Sequence, residues 1–96
     1  MGSKPIRFTK HALSYIKRRG FTEDEVVKCI RDSAWEPADL GRQECRKDFP
    51  YGKEWNRKIY DFKQIRPIFV EEEMEIVVIT VYTYYYQKGM EHENKL

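Results

Sequence analysis

The segment Phe8–Glu25, FTKHALSYIKRRGFTEDE, carries two helix starts and one helix stop, and it commits the N-terminal part of the chain to helices. Thr22 and Glu25 form a Thr-x-x-Glu capping box, in which each side chain satisfies a backbone N–H at the helix entrance, while Phe21 and Val26 occupy the positions of a hydrophobic staple. A second helix therefore starts at Glu23. Upstream, Thr9 is a good N-cap, and Gly20 suits the left-handed position that ends a helix, which predicts a first helix from about Lys10 to Arg19. At about 100° per residue, Phe8, Ala12, Leu13 and Ile16 gather into an apolar stripe expected to be buried. His11, Tyr15 and Arg18, spaced i, i+4, i+7, share another side and bring an imidazole, a phenol and a guanidinium to a surface or cleft rim.

Beyond the second helix the hydrophobic period changes. Ala34–Gly41 reads as a loop or a short irregular strand around Pro37 and Gly41, Arg42–Phe49 as a weak strand, Pro50 to Lys53 as a turn, and Trp55–Lys63 as the strand that completes a hairpin. Ile65–Val70 is a further strand, stopped by Glu71, Glu72 and Glu73, and Met74–Tyr85 gives the strongest strand signal. Strict alternation puts Val77, Ile79 and Val81 on one face and Ile76, Val78, Thr80 and Tyr82 on the other, so this strand is expected to be central. The expected fold class is α+β, with two N-terminal helices packed on an antiparallel sheet of three to four strands. The 96 residues make a single domain with an ordered core over about 5–86 and a polar tail, 87–96, expected to fray.

With 41% hydrophobic and 15% aromatic residues the composition excludes intrinsic disorder. An apolar run of signal-peptide type is missing, and the stretch Ile76–Tyr86 is too short for a membrane helix of about 20 residues, so the expected location is cytoplasmic, with no membrane partner. Cys29 and Cys45 are expected to be free thiols, without an assigned role. His11, His92 and the cysteines lack close zinc-ligand spacing, and phosphate loops, Gly-x-Ser-x-Gly elbows and His-Glu-x-x-His motifs do not occur. Neither a metal nor a cofactor is expected.

The net charge of +2 hides a strong segregation: residues 1–20 carry six basic and no acidic side chains, 21–41 two and six, 42–66 eight and four, and 67–96 two and six. If the first helix and the middle strands lie side by side, their basic blocks merge into a patch suited to a polyanion such as RNA. His11, arginines, lysines and hydroxyls are also what metal-independent RNA cleavage requires. A base removes the 2′-hydroxyl proton, that oxygen attacks the adjacent phosphorus, cations stabilise the phosphorane, and an acid protonates the leaving 5′-oxygen. Histidine serves as a base near neutral pH and arginine keeps its charge.

The Thr9-x-His11-Ala12 opening, the Arg19-Gly20-Phe21 step before a capped helix, and the strand ending Ile79-Thr80-Val81-Tyr82 resemble a small bacterial family of unknown function. That family is grouped with the RelE-like toxins in the barnase, EndoU, colicin and RelE fold class, and the likeness runs from about Phe8 to Tyr84. The resemblance implies a RelE-like fold, a toxin-like endoribonuclease of a toxin–antitoxin pair, and an antitoxin-like protein partner. It carries catalytic roles to His11 and to the Thr80 hydroxyl, and matches Arg19 to the family's Arg-Gly position. The family pattern commonly has an arginine four residues after the histidine, where this chain has Tyr15. A cation could come instead from Arg18 on the same helix, or from Arg46, Arg57 or Lys58 on the strands, while Tyr15 could stack on a base and Tyr82 should line the same pocket.

Two alternatives compete with the ribonuclease. One is a non-catalytic module that uses the same basic face to bind RNA or a protein. The other is a homodimer joined through Tyr82, Tyr84, Tyr85 and Tyr86 of the terminal strand.

Overall fold

The computed structural model describes residues 3–88, so His92 and all of the predicted polar tail beyond Lys88 lie outside the described residues. The chain is α+β: β1 (Ile6–Phe8), α1 (Lys10–Ser14), α2 (Ile16–Arg19) and α3 (Glu23–Asp32) are followed by five more strands. These are β2 (Glu36–Pro37), β3 (Gln43–Glu44), β4 (Lys47–Trp55), β5 (Lys58–Glu71) and β6 (Ile76–Tyr86), with a 3-10 turn at Asp39–Gly41. Three helices and six strands thus replace the expected two helices and three to four strands.

The extra helix comes from a break inside the predicted first one. Thr9 caps α1 as expected, its Oγ1 accepting from the Ala12 amide at 3.1 Å. Ser14 Oγ then donates to the His11 carbonyl at 2.6 Å, and the Tyr15 amide turns to Ala12 instead, at 3.2 Å. A serine competing for a helical acceptor tightens the turn, and Tyr15 leaves helical geometry at φ −98°, ψ 1°. Gly20 ends α2 in the left-handed conformation at φ 75°. At α3 the Thr22–Glu25 capping box is complete, with bonds of 3.1 and 2.9 Å, and Phe21 and Val26 are both buried.

The sheet runs β1-β6-β5-β3-β2, and β4 pairs with β5 as well. It is mixed, because β1 lies parallel to β6, Ile6 opposite Ile76 and Phe8 opposite Val78, whereas the other pairs are antiparallel. The expectation of a wholly antiparallel sheet is corrected by this short first strand. Trp55–Lys63 and Ile65–Val70 are also not two separate strands: Trp55 ends β4, Lys58–Lys63 runs on through Ile65–Val70 as the 14-residue β5, and the β4–β5 reversal is made by Asn56 and Arg57, at φ 51° and 70°. Pro50–Lys53, expected to be the turn, is instead a register shift within the hairpin, where left-handed Gly52 absorbs the irregularity. Pro67 is tolerated in the long strand because it falls where β5 changes partner from β4, at Ile65, to β3, at Ile68.

β6 holds the internal position expected of it, but its faces do not alternate strictly. Thr80 pairs with Ile68 and Val78 with Phe69, so Ile79 is an extra residue that reverses the phase of the strand. Ile76, Val78 and Val81 consequently share the core with Ala12, Phe21, Val26, Cys29, Ile30, Ile65 and Phe69, which overturns the predicted grouping of Val81 with Val77 and Ile79. Past the bulge, Thr80, Tyr82 and Tyr84 stand opposite Ile68, Arg66 and Gln64. Leu13, expected in the buried stripe, is exposed, and the helical contribution from that turn is Ala12. Gln87 and Lys88, the first residues of the supposed tail, are bonded to β5 through the Ile59 carbonyl and the Asp61 carboxylate.

Candidate nucleic-acid interface

The break at Tyr15 sets the geometry of the interface. Outside the helical ladder, the Tyr15 ring receives the His11 ring edge-on at 4.9 Å, the Arg18 guanidinium at 5.1 Å and the Arg19 guanidinium at 3.9 Å. Arg19 reaches from there to β6, its Nη1 donating to the Val81 carbonyl at 2.8 Å and to the Thr80 hydroxyl at 3.3 Å. The same guanidinium lies 4.9 Å from the Tyr82 ring centre, and Arg66 of β5 lies 5.0 Å from that ring. Arg66 Nη1 donates to the Tyr84 hydroxyl at 2.7 Å. Its Nε forms an ion pair with Glu44 at 3.4 Å without a hydrogen bond, and Glu44 also pairs with Arg46 at 3.4 Å. Rings and guanidiniums therefore alternate from α1 across β6 to β5, each contact contributing about 0.5–1 kcal/mol at exposed sites.

Arg19 is held in place from behind. The Tyr85 hydroxyl donates to the Arg19 carbonyl at 2.9 Å, and buried Lys63 donates to the Gly20 carbonyl at 2.9 Å while pairing with Glu25 at 2.8 Å. Trp55 stacks on Tyr85 at 4.7 Å. Burial, with the nearby Tyr51 and Glu25, pushes the Tyr85 phenol above its usual pKa, so its proton stays on the hydrogen bond that fixes the α2 end. At Gly20 a Cβ would come within 2.6 Å of Trp55, which is why this close approach takes a glycine.

Of the residues singled out in the sequence, His11, Tyr15, Arg18, Arg19, Thr80 and Tyr82 stand in one connected group. His11 and Thr80 are linked through Tyr15 and Arg19 rather than ring against hydroxyl. Arg46 joins through Glu44. Arg57 and Lys58 do not join: they lie at the β4–β5 reversal, and Lys58 is eight residues along β5 from Arg66, on the order of 26 Å in an extended strand. Arg66 and Glu44 were missed, and Tyr84 was grouped with a dimer surface rather than with this run. The signal for Arg66 was a cation in the otherwise apolar run Ile65–Val70, but its partner depends on a register that the Ile79 bulge shifts.

Beyond Tyr84 the run opens into a concavity of about 840 Å³, whose lining includes Arg46, Asp48, Gln64, Arg66 and Tyr84. Gln64 donates to Asp48 at 3.0 Å along one wall. The arrangement offers flat rings for stacking, guanidiniums for phosphate and an exposed imidazole at one end. Among the described residues no group of three His, Cys, Asp or Glu side chains could hold a metal ion, and no helix is long and apolar enough to cross a membrane. No protein-family model, curated protein or solved structure matches the chain.

Proposed function

We propose that the chain is a toxin-like, metal-independent endoribonuclease with a RelE-like fold, which takes single-stranded RNA across the run from His11 to Tyr84 and is restrained by an antitoxin-like protein. The observation that carries this reading is the unbroken contact of His11, Tyr15, Arg19, Tyr82 and Arg66, with Thr80 bonded to Arg19. Bases stack on the exposed Tyr82 and Tyr84 rings, and the phosphate between them faces Arg19 and Arg66. His11 accepts the 2′-hydroxyl proton, the freed oxygen attacks phosphorus, and the two guanidiniums balance the charge of the phosphorane. Thr80 is a hydrogen-bonding group for a phosphate oxygen, positioned by Arg19. The 5′-oxygen leaves with a proton taken from water.

The purified chain, incubated with RNA in excess EDTA, is expected to leave fragments with 2′,3′-cyclic phosphate ends, and His11→Ala to lower the cleavage rate by at least 100-fold, within the usual range for a lost general base of about 10²–10⁴. Cleavage that requires added metal, or that survives in His11→Ala, would remove the mechanism. The second reading, an RNA-binding module without catalysis, is favoured by His11 reaching Thr80 only through Tyr15 and Arg19 rather than by direct contact. Binding without cleavage would select it.

A further inference from the structure

Cys29 on α3 and Cys45 between β3 and β4 are the two cysteines of the chain, and neither belongs to the cation–aromatic run. Both are free thiols in the core, 0% and 2% exposed, with their sulfurs 3.4 Å apart. A disulfide is about 2.04 Å long, so the two sulfurs stand on the order of 1.4 Å beyond bonding distance. We propose that Cys29 and Cys45 are an oxidation site, converted by a low-molecular-weight disulfide such as glutathione disulfide into an intramolecular bond that ties α3 to the β3–β4 junction.

The roles of the two thiols follow from their mutual hydrogen bond. Either sulfur can donate it; with Cys45 as the donor the bond lowers the pKa of Cys29, while the same bond and burial raise that of Cys45. The Cys29 thiolate attacks one sulfur of the oxidant, breaking its S–S bond and releasing one thiolate. Cys45 then gives up its proton and attacks the Cys29 sulfur of the mixed disulfide, releasing the second. The protein loses two electrons and two protons, and the oxidant takes them up and leaves as two thiols.

Burial makes access the slow step, and the structure has an opening for it. The segment between α3 and β4 is anchored by two short strands: β2 pairs with β3 over two residues, and β3 pairs with β5 at Gln43 and Glu44 only. Leu40 at its turn is 85% exposed and left-handed. Trp35 packs on Phe69 at its start and Cys45 is buried at its end, but residues 36–44 between them include no buried side chain, so this stretch opens at a fraction of the cost of global unfolding. Glu44, the partner of Arg46 and Arg66, directly precedes Cys45, so the bond would also pin one wall of the interface.

The test uses the reduced, full-length chain treated with glutathione disulfide under native conditions. The expected product is a monomer lighter by two hydrogens, with no free thiols after denaturation, regenerated by dithiothreitol. Its melting temperature should rise on the order of 10 °C, as closing a loop of this size stabilises a small domain. Cys29→Ala and Cys45→Ala, where folded, should accept at most one glutathione. A native chain that keeps both thiols, stops at mixed disulfides or forms only disulfide-linked dimers would overturn the proposal. None of these outcomes depends on whether the chain binds or cleaves RNA.

Discussion

At Tyr15 a single side chain meets an imidazole and two guanidiniums, and it does so because Ser14 takes the carbonyl that its own amide would have used. The ring provides the contact with Arg19, so Tyr15→Phe is expected to keep RNA affinity close to wild type, whereas Tyr15→Ala should weaken it about tenfold, the scale of one lost aromatic stack. Fluorescence anisotropy with a short labelled RNA distinguishes them, and equal loss in both would move the role to the hydroxyl. Tyr85 works from behind the site. Tyr85→Phe removes the bond to Arg19 and should cost about 1 kcal/mol in urea unfolding at neutral pH. The raised pKa adds a pH dependence: because the folded state holds this proton more tightly, the stability it brings is complete below the unfolded value of about 10 and is lost as pH rises through the higher folded one. The alkaline fall in stability should therefore be shallower in Tyr85→Phe.

At the scale of elements, the capped helix start is local chemistry and was legible. Thr22→Ala should lower stability by about 1 kcal/mol while leaving RNA affinity unchanged, measured by urea unfolding and anisotropy on the same preparation. An unchanged midpoint would mean that Glu25, already tied to Lys63, holds the turn without the threonine. What was not legible depended on distant partners. Pro50 and Gly52 looked like a turn, yet Pro50 can lie on β4, which among the described residues pairs with β5 alone, and Gly52 supplies a bulge; the actual reversal uses Asn56 and Arg57, a weaker sequence signal. β1 has three residues and exists through its parallel pairing with β6. The Ile79 bulge shows in the pairing with β5, between Ile68 and Phe69, while the sequence of β6 reads as continuous alternation. His11, Tyr15 and Arg18 could be grouped from helical spacing, but Arg66 needed the shifted register.

Across the whole molecule, the basic blocks of the sequence meet only in part. Arg18 and Arg19 come together with Arg66 around Tyr15 and Tyr82, Arg46 is partly neutralised by Glu44, and Arg57 and Lys58 stay at the far hairpin end. A polyanion that uses this run should feel some arginines and not others. RNA affinity is expected to fall linearly with salt on logarithmic axes, with a slope near 0.7 for each phosphate neutralised on a single strand. Arg66→Ala should reduce that slope by about one phosphate's worth. Arg66→Lys keeps the charge and therefore the slope, but loses the guanidinium's contact with the Tyr82 ring and should bind several-fold more weakly at every salt concentration. Arg57→Ala should change neither. A slope that responds equally to Arg57 and Arg66 would spread the RNA along the whole hairpin, and an affinity indifferent to salt would mean that these cations serve the fold alone.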